Sequence, residues 1–344
     1  MIAAATRPDH RSGKLLTVSA DGRIRNLKRS DIASQFTPGD LVVANDAPTI
    51  PGSLHGTHEP TGSPLEIRLA AFVDADDFTR FIAIAFGPGD HRTRTEDRPP
   101  PPTLRAGDRL VLGPLTAVVE RTVDHPRLVD IQFLGGSAEV LSGLARHGKP
   151  IQYAHVPDRV ALWDVWTNVA ARPFAFEPPS AGFVMDWRTL ETWQQRGIQF
   201  ATLTHAAGIS STGDPVLDER LPFDEPYVIP PQTAEAIAAT RARGGSVIAI
   251  GTTVARALES AGYADGTVRV GSGIATGRIG PRTQIQVVDT ILSGVHEPGE
   301  SHFELLRAFT SDETLHHMHD AATKSHYRTH EFGDFMLISR PPGR

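Results

Sequence analysis

The 344-residue chain is long enough for about two domains, and its 40% hydrophobic and 22% charged residues exclude a disordered tail, a collagenous chain and a coiled-coil rod. Thirty-four basic against 40 acidic residues leave a net charge of −6, which argues against holding nucleic acid by bulk charge alone. The absence of cysteine removes disulfides, thiolate catalysis and Cys-ligated zinc or iron–sulfur clusters from consideration.

The N-terminal residues contain no apolar stretch of signal-peptide length, and no run approaches the roughly 20 apolar residues that cross a bilayer. A cytoplasmic protein without membrane contact, monomeric or weakly oligomeric, is therefore expected. Residues 1–30 carry Arg7, Arg11, Lys14, Arg23, Arg25, Lys28 and Arg29 against Asp9 and Asp21. This stretch reads either as an edge that touches phosphates or as solvated surface, because no aromatic residues interleave to stack bases.

Residues 41–44, LVVA, read as a buried strand that runs into Asn45, Asp46, Pro48 and Pro51. Between about 56 and 148 come short β-like runs at 65–73, 79–86, 108–113, 115–120 and 127–134, with no long helix predicted. Turn residues at 87–90 and a stiff four-proline connector at 99–102 separate them, so this segment reads as a small antiparallel sheet or barrel. After 150 the pattern alternates. Residues 186–196 read as a helix with Leu190 and Trp193 on one face and Gly197 as its stop, followed by a strand at 198–205. Thr233 is the predicted N-cap of a helix to Arg243. A buried strand at 246–250, a tight turn at Gly251, Thr252 and Thr253, and a helix from Val254 follow. Helices at 301–309 and 312–324 and a strand at 335–339 close the chain. The expected fold is α/β: a larger α/β domain (residues 1–56 and 149–344) with an inserted smaller antiparallel β-barrel-like domain (57–148).

Four places suggest chemistry. The N–H groups of Thr252 and Thr253 at a helix start suit an anion, with Arg256 one turn further on; the alternative is an ordinary βα turn and an ion pair with Glu259. Ser180, Ala181 and Gly182 would let a flat ligand approach closely, or would form a simple Pro-rich turn. His205, with Gly208 shortly after it, emerges at the carboxyl end of a predicted buried strand, where open α/β folds place ligands, and Asn45 and Asp46 have the same standing. Seven of the 15 histidines fall between 296 and 330: His296, His302, His316, His317, His319, His326 and His330. His326 and His330 have helical i, i+4 spacing, but no recognised metal motif is completed, so solvated helix faces and no metal are expected.

In order, LVVANDAPTIPGSLHG, GKPIQYAHV, WDVWTNVAARPFAFEPPSAGF, GIQFATLTHAAG, EPYVIPPQTAEAIAATRARGGSVIAIGTTVARALES, VVDTILSGVHEP, LLRAF and YRTHEFGDFMLIS resemble the S-adenosylmethionine:tRNA ribosyltransferase-isomerase family of the queuosine pathway. The likeness covers both ends and most of the middle, and is weakest at about 57–147. It implies an α/β domain with a smaller β-barrel domain, S-adenosylmethionine as ribosyl donor and co-substrate, and tRNA as partner. The implied reaction places an epoxycyclopentanediol group, built from the donor's ribose, on a 7-aminomethyl-7-deazaguanine base, releasing adenine and methionine.

The matched polar positions are Asn45, Asp46, Ser180, His205, Glu225, Thr252, Thr253, Arg256, His296, Tyr327 and Asp334. The resemblance assigns proton handling to His205, Glu225 and Asp46, anion binding to the Gly251–Thr253 turn with Arg256, and the adenosyl pocket to the segment from Ser180 to Gly182. Removal of Arg256 is then expected to weaken ligand binding with little loss of stability. The chain departs from the family where Asn-Asp-Thr-Arg becomes Asn45-Asp46-Ala47-Pro48, where Gly-Leu-His-Phe becomes Gly182-Phe183-Val184-Met185, and where Met-His-Ser-Glu becomes Pro222-Phe223-Asp224-Glu225. A nucleoside-binding protein without catalysis, and a ribosyl-type transferase acting on a free small acceptor, remain the alternatives.

Overall fold

The computed structural model describes residues 1–6 and 13–341. Arg7 and Arg11, two members of the basic N-terminal stretch, lie outside the described residues.

The larger body is built on a nine-stranded sheet. Its centre is four parallel strands in the order Gln199–His205, Leu41–Asn45, Val247–Ile250 and Thr290–Gly294. Leu41–Asn45 and Val247–Ile250 are buried at every residue, as expected for parallel strands covered on both faces, and this is why they read in the sequence as unbroken apolar runs. Further strands extend the sheet on both sides: Glu225–Ile229 and Gly271–Ala275, each pairing antiparallel, beyond Gln199–His205, and beyond Thr290–Gly294 the antiparallel Phe335–Ser339, then Lys14–Val18 parallel to it and Ile24–Lys28 antiparallel at the edge. Because the chain enters at Leu41–Asn45 and adds later strands on either side, the carboxyl ends of these strands form a crevice at the topological switch point.

The second sheet closes into a six-stranded antiparallel barrel in the order Leu128–Phe133, Arg80–Phe86, Ser63–Phe72, Ser53–His58, Arg109–Leu112, Leu115–Thr122. Arg109–Leu112 alternates exposed and buried residues, the period-two signature of a strand with one face on the core. Gly56 is required where two barrel strands meet, because a Cβ there would stand 2.0 Å from the Val111 carbonyl oxygen. The strand Ser53–His58 runs across the boundary expected at residue 56. Phe174, Ala175, Phe176, Ala206 and Ala207 of the larger body pack into the same apolar cluster as the barrel interior, and Phe72 stacks on Phe174 at 4.8 Å.

Two local expectations are corrected. Ser137–His147 is a helix inside the segment where none was predicted; Val140 and Leu144, one turn apart, bury against the barrel. The helix Pro231–Ala242 starts before Thr233, with Pro231 at its first position, where a missing N–H costs nothing. Thr233 instead donates its hydroxyl to the Thr202 carbonyl at 2.6 Å. The helices Trp187–Gln195, capped by Asp186, and Asp312–Lys324, capped by Ser311, form where the sequence placed them. Among the described residues, no helix is long and apolar enough to cross a membrane.

Candidate functional site

A cavity of about 1030 Å³ opens at the carboxyl ends of the central parallel strands and is floored by the turn into the helix Thr252–Ala261. Gly251 makes that turn with φ of +102°, a left-handed conformation that a Cβ would strain. Thr252 and Thr253 then present helix-start N–H groups without intrahelical acceptors to the cavity. Ser180 and Ala181, on the 3-10 turn Ser180–Val184, form the facing wall, with Gly208 and His296 also lining the space.

The strands Gln199–His205 and Glu225–Ile229 bring His205 and Glu225 together. His205 is fully buried. Its Nε2 lies 3.3 Å from Glu225 Oε2 but off a hydrogen-bonding line, so neither ring nitrogen has a hydrogen-bond partner. Burial, reinforced by Arg256, pushes the imidazole down to about 3, and it is neutral at neutral pH. Glu225 reaches the cavity, accepts from the Gly208 N–H at 2.6 Å and accepts from Arg256 Nη1. Burial raises the Glu225 carboxyl, and the Arg256 charge opposes the rise.

Arg256 corrects an expectation. It lines the cavity, but its Nη2 donates to the carbonyls of Phe223, Ala275 and Gly277 at 2.9, 2.9 and 3.0 Å while Nη1 serves Glu225. These donors are spent on the protein, so Arg256 is a buried clamp that holds Glu225 and the strand ends, and it cannot be removed without cost.

Several other sequence-predicted residues are not on the cavity wall. Asn45 is buried and clasps the His205 backbone, donating to its carbonyl at 2.9 Å and accepting from its N–H at 3.0 Å. Asp46 accepts the hydroxyls of Thr202 and Thr204 at 2.8 and 2.7 Å, so its carboxylate is engaged in tying two strands. Gly182 packs under Thr167. Asp334 is buried and accepts the N–H groups of Lys14 and Arg328, both at 2.8 Å. Tyr327 belongs to the main apolar cluster, with the Lys14 ammonium 5.3 Å above its ring. Asn45, Asp46, Tyr327 and Asp334 thus shape the framework around the site. The basic N-terminal stretch is also partly committed: Lys14 Nζ donates to the carbonyls of Ser325 and His326, and Arg29 is buried.

Sequence reasoning missed Glu177 and Tyr153. Both line the cavity, and the Tyr153 hydroxyl donates to Glu177, which also accepts from the Ser210 N–H at 3.1 Å. Burial pushes the Glu177 carboxyl up to about 7, poised to exchange a proton at neutral pH. Glu177 directly precedes the Pro178-Pro179-Ser180 segment that the sequence had marked, which was its one available signal. The i, i+4 reading of His326 and His330 fails, because both lie beyond the helix Asp312–Lys324 with φ of +53° and +68°.

The comparisons with known proteins follow the same architecture. A family model described as queuosine biosynthesis protein matches residues 1–338. An S-adenosylmethionine:tRNA ribosyltransferase-isomerase of Dechloromonas aromatica is 31% identical over 344 residues, covering 99% of this chain and 94% of that protein. Another, of Trichlorobacter lovleyi, is 33% identical, covering 90% and 87%. The crystal structure of an S-adenosylmethionine tRNA ribosyltransferase from Thermotoga maritima has the same fold, with a TM-score of 0.51 at 21% identity over 98% of this chain and 96% of that one. With the barrel, the switch-point crevice and a match that runs almost end to end, the chain belongs to the queuosine biosynthesis protein family.

Proposed function

We propose that this protein is an S-adenosylmethionine:tRNA ribosyltransferase-isomerase acting in the cytoplasm. It transfers and isomerises the ribosyl group of S-adenosylmethionine onto the exocyclic amine of 7-aminomethyl-7-deazaguanine in tRNA, with release of adenine and methionine. The observation that carries the reading is the cavity at the strand ends. It is lined by family-matched Ser180, Glu225, Thr252, Thr253, Arg256 and His296 in a chain whose family match spans residues 1–338.

The chemistry asks for a base near a ribose carbon acidified by the sulfonium and for a polar wall that excludes bulk water. Glu225 and Glu177 are two of the carboxyls that line the cavity. Glu225 is fixed by Arg256 and Gly208, which suits it to orient and stabilise charge. Glu177, near neutrality in its proton affinity, suits proton transfer. His205 stands behind Glu225 as a neutral group. The Thr252 and Thr253 N–H groups supply the anion subsite, and Ser180 with Ala181 lines the adenosyl side.

The test incubates purified protein with S-adenosylmethionine, with and without tRNA bearing the 7-aminomethyl-7-deazaguanine base, and follows adenine and methionine by mass spectrometry. Both products appearing only with that tRNA is the expected result. Products formed without tRNA would move the acceptor to a free small molecule. Absence of both in either mixture would overturn the assignment.

A further inference from the structure

The cavity has a second chemical end that the ribosyl-transfer reading does not use. His155 follows the segment that links the barrel to the larger body, while His330 and Glu331 sit on the turn before the strand Phe335–Ser339. The fold brings a nitrogen of each imidazole and an oxygen of the carboxylate within 4.8 Å of one another. All three residues are half-buried and line the cavity. His155 Nε2 is 2.9 Å from Glu331 Oε2, and the His155 and His330 rings lie nearly parallel with centroids 4.4 Å apart. Among the described residues, neither ring nitrogen of His330 has a hydrogen-bond partner.

We propose that His155, His330 and Glu331 form a binding site for a divalent transition-metal ion of the zinc class. Two imidazoles and one carboxylate are the donor set such ions take, and three protein ligands leave a coordination position open to the cavity. Tetrahedral zinc with bonds of about 2.0–2.1 Å places its ligand atoms about 3.3 Å apart, so the cluster needs a small closure and no change of fold. The ion replaces the contact between His155 and Glu331, and because metal ligands must be deprotonated, binding weakens as pH falls. Nearby, His296 and His302 stack at 4.6 Å, with Glu300 3.2 Å from His296 Nδ1. Among the described residues, only the first cluster brings three such ligand atoms within 4.8 Å of one another.

The experiment titrates the chelator-treated, tag-free full chain with Zn²⁺ by calorimetry and with Co²⁺ by visible absorption, without any ribosyl donor, so its outcome is independent of the proposed reaction. One equivalent bound, with the intense visible bands of four- or five-coordinate Co²⁺, is expected. H155A, H330A and E331Q should each weaken binding at least tenfold while keeping a native circular-dichroism spectrum, and H316A/H317A, on an exposed helix face, should bind like the parent. Should an imidazole variant fail to fold, E331Q carries the test. No stoichiometric binding, or binding unchanged in the cluster variants and lost in H316A/H317A, would overturn the site.

Discussion

Glu225 Oε2 lies 3.3 Å from His205 Nε2 and accepts a hydrogen bond from Arg256 Nη1, so a neutral ring and a buried cation share one carboxylate oxygen. Removing the cation alone leaves Glu225 uncompensated. Arg256→Met is expected to destabilise the protein by about 3–5 kcal/mol. The double variant Glu225→Gln with Arg256→Met should lose clearly less than the sum of the two single changes. Urea unfolding of the four proteins measures this, and strict additivity would show that the pair is not coupled.

His205 carries no hydrogen bond at either nitrogen, so an apolar ring in its place leaves no partner stranded. His205→Phe is expected to stay within about 1 kcal/mol of the parent at neutral pH. The folded imidazole binds its proton near 3 and the unfolded one near 6.5. The parent therefore loses stability from this residue as pH falls from 6.5 towards 3, and is unaffected above that window. Stability curves of the two proteins should separate on acidification. Parallel curves would mean that the ring takes up its proton in the folded protein as readily as in the unfolded chain.

Glu177 as a base must lose its proton to act. The rate of adenine release should rise as pH increases through about 7 and then level off. Glu177→Gln should abolish that limb and slow the reaction by about 10²–10⁴-fold. A variant that retains both the rate and the limb removes Glu177 from proton transfer.

Inside the barrel region, Glu66 is buried between Arg68 and Arg98, at 2.8 and 2.5 Å. Burial alone would raise its carboxyl, but the two guanidiniums outweigh it and hold it at about 2. Its contribution to stability is present above the ordinary value of 4.5 and is lost as pH falls from there through 2. Arg98→Ala is expected to cost about 3–5 kcal/mol, measured by denaturant unfolding at neutral pH. A loss under about 1 kcal/mol would show that Arg68 alone suffices.

At Gly56 the added methyl of Gly56→Ala would overlap a backbone oxygen that belongs to a neighbouring strand. A loss of about 1–3 kcal/mol is expected, with an unfolding midpoint that shifts accordingly. An unchanged midpoint would mean that the two strands separate there at no cost.

Much of the fold was legible locally. The runs at 41–45 and 247–250 announce themselves because both faces of a central parallel strand are apolar, and the short β runs between 56 and 148 carry the turn residues that a barrel needs. The helix Ser137–His147 was not legible, since a Val140 and Leu144 pair in a short segment resembles the neighbouring strand texture until the barrel wall supplies its partner. The motif pattern also carried the family.

What the sequence could not decide was the use of each polar residue. Asp46, Tyr327 and Asp334 match the family pattern as fully as Glu225 does, yet their groups are committed to the threonine hydroxyls, the apolar cluster and two backbone N–H groups. A carboxylate's role depends on which donors surround it and whether it faces a cavity, and those neighbours come from segments far apart in the chain. Local pattern therefore determined the strands, the barrel and the family. Tertiary packing alone decided that Arg256 is a clamp, that burial tunes Glu177 to neutrality, and that His155, His330 and Glu331 meet.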